Sequence, residues 1–405
     1  MATLTEQLAG HLLRPVSANV QTRARLHLLD WLGCVLAARR SEQAEIGRRA
    51  EPDVLTRAAL LGNVLEMDDV HRTALLHPGP VVWPAALSAA RETGCGMDVL
   101  LEGAVRGYEA MIAVGATFDA HHYAHWHNSA TAGGFGGAAA AAAIFGLDTD
   151  GIADALGHAG SLSGGLWRMR HEPGMTKQLH VAQAALTGLW HARLARAGAR
   201  GPRAILEGDQ GLYAAMTQAP GPLELGGRWR MEEVSFKPWG ACRHVHPAID
   251  AALTLKAAGR LTAPVHVETY ADALRFCDRP EPKTVIDAKF SLQHGISIVL
   301  GKGEPELADF ETDAIARLAP LRSQVTVAEA PELTAAYPAH FGARIGKLVL
   351  TDTLGDPERP LSAAQVEAKA RALIGWGHAD AEPIVTAALH GDDPAEVIGL
   401  LEQLV

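Results

Sequence analysis

Residues suited to acid–base chemistry are concentrated in a few short segments of the chain. Asp68 and Asp69 are followed by His71 and His77, and the Pro-Gly pair after His77 does not continue a helix. Further on, Lys177 opens an Ala-rich helix, where its positive charge opposes the helix dipole. That mismatch indicates an anionic ligand. Two plainer interpretations stay open, namely an Asp pair that caps a loop and a lysine that extends along the surface to water.

A basic segment begins at Lys237 and ends at His246, with Arg243 and His244 between them, although the chain carries a formal net charge of -10. A basic pocket in an acidic protein suits a small carboxylate, which arginine binds through two parallel hydrogen bonds and lysine as a point charge. The alternative is a solvated basic loop. Cys242 in the same segment lacks the neighbouring base and orienting group of an activated nucleophile.

Histidines are also clustered, at His121, His122, His125 and His127. His121 and His125 are four residues apart, a spacing that places two imidazoles on one helix face, as in zinc sites. The residue after His121 is histidine rather than the glutamate of an HExxH motif, and no nearby acid completes a site. A zinc hydrolase built on His121, His125 and His127 is therefore an alternative from another functional class.

The glycines at 133, 134, 136 and 137 resemble a phosphate-binding loop. No strand precedes them and no Lys-Ser/Thr pair ends them, so close packing between helices is the better interpretation. The remaining candidates are His77, His127, Lys177 and Arg243, with one of the two histidines that follow Arg243. Such a set suits removal of a proton next to a carboxylate while a second group protonates a leaving hydroxyl.

The composition sets limits on the class of protein. The chain has 405 residues, 48% hydrophobic and 20% charged, which is typical of a globular protein of one or two domains. Lys and Arg number 36 against 46 Asp and Glu, which argues against a general nucleic-acid binder. Four cysteines lie far apart without a CxxC pair, so we expect reduced thiols, no metal site of four cysteines and a cytoplasmic location. No signal peptide is visible, and the apolar stretch 133–147 is too short to span a membrane.

Helical spacing of apolar residues dominates the first part of the chain. The predicted helices cover residues 26–38, 53–67, 81–91, 99–118, 134–145, 152–162 and 180–197. Period-two alternation first appears near Val265, and two more strand patterns begin at Ser323 and Ala343. We therefore predict an all-helical domain at residues 1–262 and an α+β domain at 263–360. The helices predicted from about residue 361 to 405 are expected to rejoin the helical domain.

Six segments, in this order, carry a resemblance to a known family. They are LLDWLGCVLAA from Leu28, GNVLEMDDVHRTALLHPGPVVWPAAL from Gly62, HNSATAGGFGGAAAAAAIFGLD from His127, GMTKQLHVAQAALTGL from Gly174, FKPWGACRHVHPAIDAA from Phe236 and EPKTVIDAKFSLQHGIS from Glu281. The sequence resembles the MmgE/PrpD family over nearly its whole length. That family includes 2-methylcitrate dehydratase, cis-aconitate decarboxylase and iminodisuccinate epimerase.

The resemblance implies a mainly α fold, with a large all-helical domain, a smaller α+β lid, an active site in the cleft between them and a homodimer. It also implies a small di- or tricarboxylate substrate and no metal or organic cofactor. The matching catalytic positions are Asp68, His77, His127 and Lys177, and those expected to bind substrate are Lys237, Arg243 and His246. His294 departs from the family pattern and the cluster of His121, His122 and His125 has no counterpart that we can place, so the substrate stays open.

These observations lead us to expect a cofactor-independent lyase, most simply a dehydratase of a hydroxylated di- or tricarboxylate. His127, His77 and Lys177 are all candidates for the base, and His77 is the expected acid. An epimerase and a decarboxylase are close alternatives, because all three reactions share a carbanion-like intermediate. An inactive carboxylate sensor with the same fold is a further alternative.

Overall fold

The computed structural model describes residues 2–172 and 174–405. Its α-helices, in chain order, are α1 (Leu4–Leu12), α2 (Ala18–Ala38), α3 (Glu42–Ala50), α4 (Val54–Leu61), α5 (Gly79–Thr93), α6 (Met97–Gly115), α7 (Ala120–His125), α8 (Asn128–Thr131), α9 (Gly133–Ile144), α10 (Thr149–Ser161), α11 (Thr176–Arg196), α12 (Leu212–Met216), α13 (His246–Ala257), α14 (Ala271–Cys277), α15 (Val285–Lys289), α16 (Leu292–Gly301), α17 (Thr312–Arg317), α18 (Ala319–Arg322), α19 (Pro331–Ala336), α20 (Ala363–Trp376), α21 (Ala381–His390) and α22 (Pro394–Leu404). Short 3-10 helices lie at Trp167–His171, Arg230–Glu233, Arg243–Val245 and Leu307–Phe310. The strands are β1 (Val265–Thr269), β2 (Val325–Glu329), β3 (Ala343–Ile345) and β4 (Leu348–Leu350). The mainly α class is thus confirmed.

The chain divides into two compact units. The helical unit comprises Met1–Val64, Asp68–Val234 and Ser362–Val405, and the α+β unit comprises Leu65–Met67 and Ser235–Leu361. No helix in the described part of the chain is both long and apolar enough to cross a membrane.

A buried Ala/Gly helix, α9, lies at the centre of the helical unit and packs against α5, α6, α10 and α11. Its small residues let neighbouring backbones approach closely. A Cβ atom placed on Gly107 of α6 would come within 2.8 Å of the backbone oxygen of Gly136 in α9. This contact agrees with the packing interpretation of the glycine cluster rather than with a phosphate loop.

The α+β unit contains a small sheet with strand order β2-β1-β3-β4. β1 is parallel to β2 and antiparallel to β3, and β3 pairs antiparallel with β4. The pattern that begins at Ala343 was predicted to form one strand. The structure shows a hairpin of two short strands there, because the chain turns at Gly346, whose φ is +58°.

The α+β unit begins earlier than predicted, at Ser235 rather than near residue 263. The reason is α13, which packs against α16 and β3. Its apolar residues Ala248, Ile249 and Ala252 share a buried cluster with Ile296 and Ile345. Helix α13 therefore belongs to the hydrophobic core of the α+β unit. Helical periodicity within one segment does not reveal which unit the helix joins.

Candidate active site

The turn that carries His77 is anchored inside the helical unit by Asp69. One carboxylate oxygen of Asp69 accepts hydrogen bonds from the hydroxyl of Tyr108 at 2.7 Å and from Nδ1 of His27 at 2.8 Å. The other oxygen accepts the backbone N–H of Gly79, the first residue of α5, at 2.9 Å. The carboxylate is therefore tied to three elements, and its negative charge lies at the N-terminus of α5, where the helix dipole stabilises it.

The donors to Asp69 are held in their neutral forms. Burial lowers the pKa of His27 to about 4, although its hydrogen bond to Asp69 opposes the shift. Burial, with the charge of Asp69 next in importance, raises the pKa of the Tyr108 hydroxyl well above its usual value. Neutral donors leave the charge on the carboxylate, so the network is a fixed anchor rather than a proton relay near neutral pH.

His77 is fixed at its Nδ1 side and by its backbone. Nδ1 donates to the backbone oxygen of Asp69 at 3.0 Å and lies 2.8 Å from Oδ2 of Asp68. The backbone N–H of His77 donates to Oγ of Ser129 at 2.9 Å. Because Nδ1 carries the hydrogen, Nε2 is the atom of His77 that can exchange a proton with a ligand.

His127 lies at the N-terminus of α8, with its backbone N–H donating to the carbonyl of Gly165 at 2.7 Å. Its ring lies 4.5 Å from that of Trp167, and its Nδ1 is 3.4 Å from Nδ1 of His180. Burial lowers the pKa of His127 well below its usual value, and the charges of Lys177, His180, His77 and Arg170 act in the same direction. His127 is thus a neutral imidazole in a cationic environment.

The helical unit therefore brings together four predicted site residues. Asp68 and His77 form one pair, and His127 lies within the electrostatic reach of both His77 and Lys177. Lys177 is half-buried in the first turn of α11, which begins four residues earlier than predicted. His71, in contrast, faces Glu233 at 3.5 Å and accepts the backbone N–H of Ala74, so it closes the turn.

The predicted binding residues of the α+β unit are all buried. Nζ of the fully buried Lys237 lies 3.8 Å from the carboxylate of Glu66. Arg243 forms an ion pair with Asp356. His246 donates from Nε2 to the backbone oxygen of Ala241 at 3.1 Å, and its Nδ1 accepts from Arg243.

Arg243 and His246 thus have structural partners within their own unit. A substrate carboxylate would have to compete with Asp356 for the guanidinium of Arg243, and His246 has both ring nitrogens engaged. The role of Lys237 in anion binding stays a prediction.

Comparison of the sequence with known families assigns the chain to one of them. A profile of the MmgE/PrpD N-terminal domain matches residues 55–223, and one of the MmgE/PrpD C-terminal domain matches residues 239–389. The chain belongs to the MmgE/PrpD family. The resemblance inferred from the six sequence segments is thereby confirmed.

Two curated relatives of this MmgE/PrpD protein have names that refer to the same reaction. The cis-aconitate decarboxylase-like protein oryM of Aspergillus oryzae is 31% identical over 280 residues, which cover 58% of this chain and 57% of the relative. The cis-aconitate decarboxylase of Aspergillus terreus is 27% identical over 281 residues, which cover 60% of this chain and 57% of the relative. The matched region thus spans less than two thirds of each relative.

The histidine cluster of this MmgE/PrpD chain is held by ordinary packing. His122 is buried and hydrogen-bonds through Nδ1 to Asn128 at 3.0 Å and through Nε2 to Thr131 at 3.1 Å. The rings of His121 and His125 contact each other edge to face. Across residues 2–172 and 174–405, no three His, Cys, Asp or Glu side chains are arranged to hold a metal ion. The zinc-hydrolase alternative therefore gains no support from the structure.

Sequence reasoning did not assign roles to Asp69, His180 or Arg170, which the structure places around the candidate site. The guanidinium of Arg170 lies 4.2 Å from the centre of the Trp167 ring, the same ring that packs on His127. No spacing in the sequence signals either contact. The Asp69 carboxylate lies 2.7 Å from where a Cβ on Gly79 would be, and the partner of His180 is 53 residues away.

Proposed function

We propose that this protein is a lyase that removes the proton next to a carboxylate in a small di- or tricarboxylate. The observation that carries the proposal is the buried imidazole of His127 at the start of α8, the helix whose Ser129 also binds the backbone N–H of His77. Burial and the charges of Lys177 and His77 lower the pKa of His127, so its ring is neutral. A neutral imidazole can accept a proton, and bound carboxylates would offset the surrounding cations that lower its pKa. The cationic environment thus favours an anionic substrate and a base that becomes stronger when that substrate binds.

In the proposed dehydration, Nε2 of His127 takes the Cα proton and the C–H electron pair forms the new double bond. The C–O bond at the neighbouring carbon breaks, and protonated His77 delivers its Nε2 proton to the departing hydroxyl, which leaves as water. Asp68 stabilises the positive charge of the His77 ring before that transfer. Lys177 binds a substrate carboxylate and stabilises the charge that develops on it.

Decarboxylation is a second candidate, supported by the names of the relatives. In that reaction the bond to one carboxylate breaks, CO2 leaves and the electron pair remains on the substrate carbon. A protonated side chain at the site then delivers a proton to that carbon. Epimerisation would need only removal and return of one proton. The three outcomes use the same residues and differ in the bond that breaks.

Proton NMR in D2O distinguishes these outcomes, with citrate, 2-methylcitrate, cis-aconitate, malate, tartrate and aspartate-derived diacids as substrates. A new vinyl signal without release of CO2 indicates dehydration, release of CO2 indicates decarboxylation, and deuterium at Cα without net consumption indicates epimerisation. His127→Gln and Lys177→Ala should each abolish the reaction found, whereas His121→Gln should not. Full turnover by both Lys177→Ala and His127→Gln would contradict the proposal.

We also propose a homodimer in the cytoplasm. The family resemblance implies the homodimer, and four cysteines that lie far apart without a CxxC pair suit a reducing compartment. On α11 the apolar side chains of Leu179, Leu186 and Trp190 are exposed, with Trp190 at 53% of its accessible surface. Light scattering on the purified protein gives the mass directly. A monomeric mass at micromolar concentration would contradict the homodimer.

A further inference from the structure

His127 has a second histidine beside it that is not among the predicted site residues. Nδ1 of His180, on α11, lies 3.4 Å from Nδ1 of His127, and the two ring centres are 5.6 Å apart. Only one of these nitrogens can donate in a hydrogen bond between neutral rings. The direction of that bond therefore decides which nitrogen of His127 carries its hydrogen.

The surroundings of the two rings indicate the direction. His180 is half-buried and lines a cavity of about 490 Å³ together with Gly165, Arg168 and Thr176. Among the described residues, no hydrogen-bond partner is found for its Nε2. A neutral histidine ring that is open to water favours the tautomer with hydrogen on Nε2, which leaves Nδ1 as an acceptor.

We propose that His180 is a positioning residue that accepts a hydrogen bond from Nδ1 of His127 and so fixes Nε2 of His127 as its basic atom. The inference rests on the proposed function, in which His127 removes the substrate proton. Within residues 2–172 and 174–405, Nε2 of His127 has no hydrogen-bond partner. The nitrogen left basic is thus the one available to a ligand.

The remaining contacts of His127 hold its ring in place. Its backbone N–H binds the carbonyl of Gly165, whose φ of +102° lies in the region that favours glycine. Trp167 packs on one side of the ring at 4.5 Å. Gly165 and Trp167 hold the residue but do not select a tautomer, so that selection depends on His180. Positive charges disfavour a second proton on the His127 ring, so Nε2 keeps its lone pair. These charges are on Lys177, His77 and Arg170.

Nitrogen NMR of the substrate-free protein tests the tautomer without relying on activity. With histidine labelled by ¹⁵N, a long-range proton–nitrogen spectrum distinguishes a protonated from an unprotonated nitrogen in each ring, and His127→Gln assigns the signals. We expect His127 to carry hydrogen on Nδ1 in the wild type at pH 8. In His180→Leu we expect a mixture of both tautomers. Hydrogen on Nε2 in the wild type, or an unchanged tautomer in His180→Leu, would overturn the inference.

Matched variants separate tautomer selection from packing. Oδ1 in His180→Asn occupies nearly the position of Nδ1 and can accept the bond, whereas His180→Gln places its oxygen one bond further out. On the substrate found above, His180→Leu and His180→Gln should reduce kcat about 10- to 100-fold with a KM within about threefold of wild type. His180→Asn should restore kcat to within about threefold of wild type.

The two proposals can fail separately. If His127→Gln keeps full activity while His180→Leu still alters the His127 tautomer, then His127 is not the base, although His180 controls its ring. If His127→Gln is inactive and His180→Leu, although folded by circular dichroism, matches the wild type in kcat, then the proposed function survives and the role of His180 is wrong.

Discussion

Nδ1 of His77 lies 2.8 Å from Oδ2 of Asp68, and the same nitrogen donates to the backbone oxygen of Asp69 at 3.0 Å. The side chain of one acid and the backbone of the next thus orient one imidazole. The side chain of Asp69 points elsewhere, to Tyr108 and His27. We therefore propose different functions for these adjacent acids, with Asp68 acting on His77 and Asp69 anchoring the turn.

Replacing the carboxylate of Asp68 by an amide tests the first of these functions. Asp68→Asn removes the negative charge beside His77. The amide can also place an N–H donor against the Nδ1 hydrogen of His77, so that two donors face each other. We expect kcat to fall about 10²- to 10⁴-fold with little change in the melting temperature. Steady-state kinetics and differential scanning calorimetry measure the two effects. Asp53→Asn is the control, because Asp53 caps α4 and pairs with Arg91. A kcat within threefold of wild type would remove Asp68 from the mechanism.

Position 79 requires glycine because its backbone N–H binds the Asp69 carboxylate at close range. A Cβ there would lie 2.7 Å from the Asp69 carboxylate and 3.0 Å from the Tyr108 hydroxyl. Gly79→Ala should therefore displace the turn that carries His77, lowering stability by about 1–3 kcal/mol and kcat by a larger factor. Gly10→Ala in α1 is the matched control, since nothing lies within 4 Å of a Cβ at Gly10. We expect that variant to be at least as stable as the wild type. Equal urea midpoints for the two variants would contradict this account.

Lys177 contributes to the low pKa of His127, after burial, together with His180, His77 and Arg170. Lys177→Met removes one positive charge without removing the alkyl chain. The pKa of His127 should then rise towards its ordinary range, because protonation of the ring no longer meets that repulsion. NMR titration of labelled histidine measures the change, and Lys347→Met serves as the control variant. A fall in the pKa of His127 would show that Lys177 does not act on this ring.

His191 offers a test of stability rather than catalysis. It is buried, and neither ring nitrogen has a hydrogen-bond partner among the described residues. Burial, and then the charge of His158, lowers the pKa of His191 to about 4. The unfolded chain binds a proton at this residue below about pH 6.5, whereas the folded chain does not until about pH 4. Proton binding by the unfolded chain at His191 therefore lowers the free energy of unfolding as pH falls from about 6.5 to about 4.

His191→Leu should raise the melting temperature at pH 8, because it removes an unsatisfied polar ring, and should raise it further at pH 5. His122→Leu is the comparison variant. Burial also lowers the pKa of His122 to about 4, but both of its nitrogens are hydrogen-bonded. We expect His122→Leu to be destabilising at pH 8, by about 1–3 kcal/mol. Thermal unfolding of both variants at the two pH values measures these effects, and a His191→Leu variant less stable than wild type at pH 5 would contradict the reasoning.

The sequence allowed the fold class and the family to be predicted because those depend on patterns within single segments. Helical periodicity identified α2 and α6, and alternation identified β1. Lys177 stood out because its charge conflicts with its position at a helix start, a conflict visible over a few residues. Its role at the site stays a prediction, as do those of Asp68, His77 and His127.

Contacts between distant segments could not be predicted in the same way. The basic segment was interpreted as a set of available cations, but Arg243 pairs with Asp356, 113 residues further along. Spacing within the segment gives no information about that carboxylate. His180 illustrates the converse, since it lies within one of the six family segments but its proposed role depends on its contact with His127. The helices and strands could be predicted from the sequence, but the partners of charged and polar side chains required a structure.

The helical unit is built from three separate stretches of chain, and α20 from the last stretch packs against α2 from the first. Nζ of Lys369 lies 2.6 Å from the buried carboxylate of Asp30, and a Cβ on Gly33 would approach the backbone of Ala370 to 3.2 Å. During synthesis on the ribosome, this face of α2 stays uncovered until α20 has emerged. The α+β unit, which is continuous apart from three residues, is complete earlier. Helix α2, among the first to be made, is thus among the last to be enclosed.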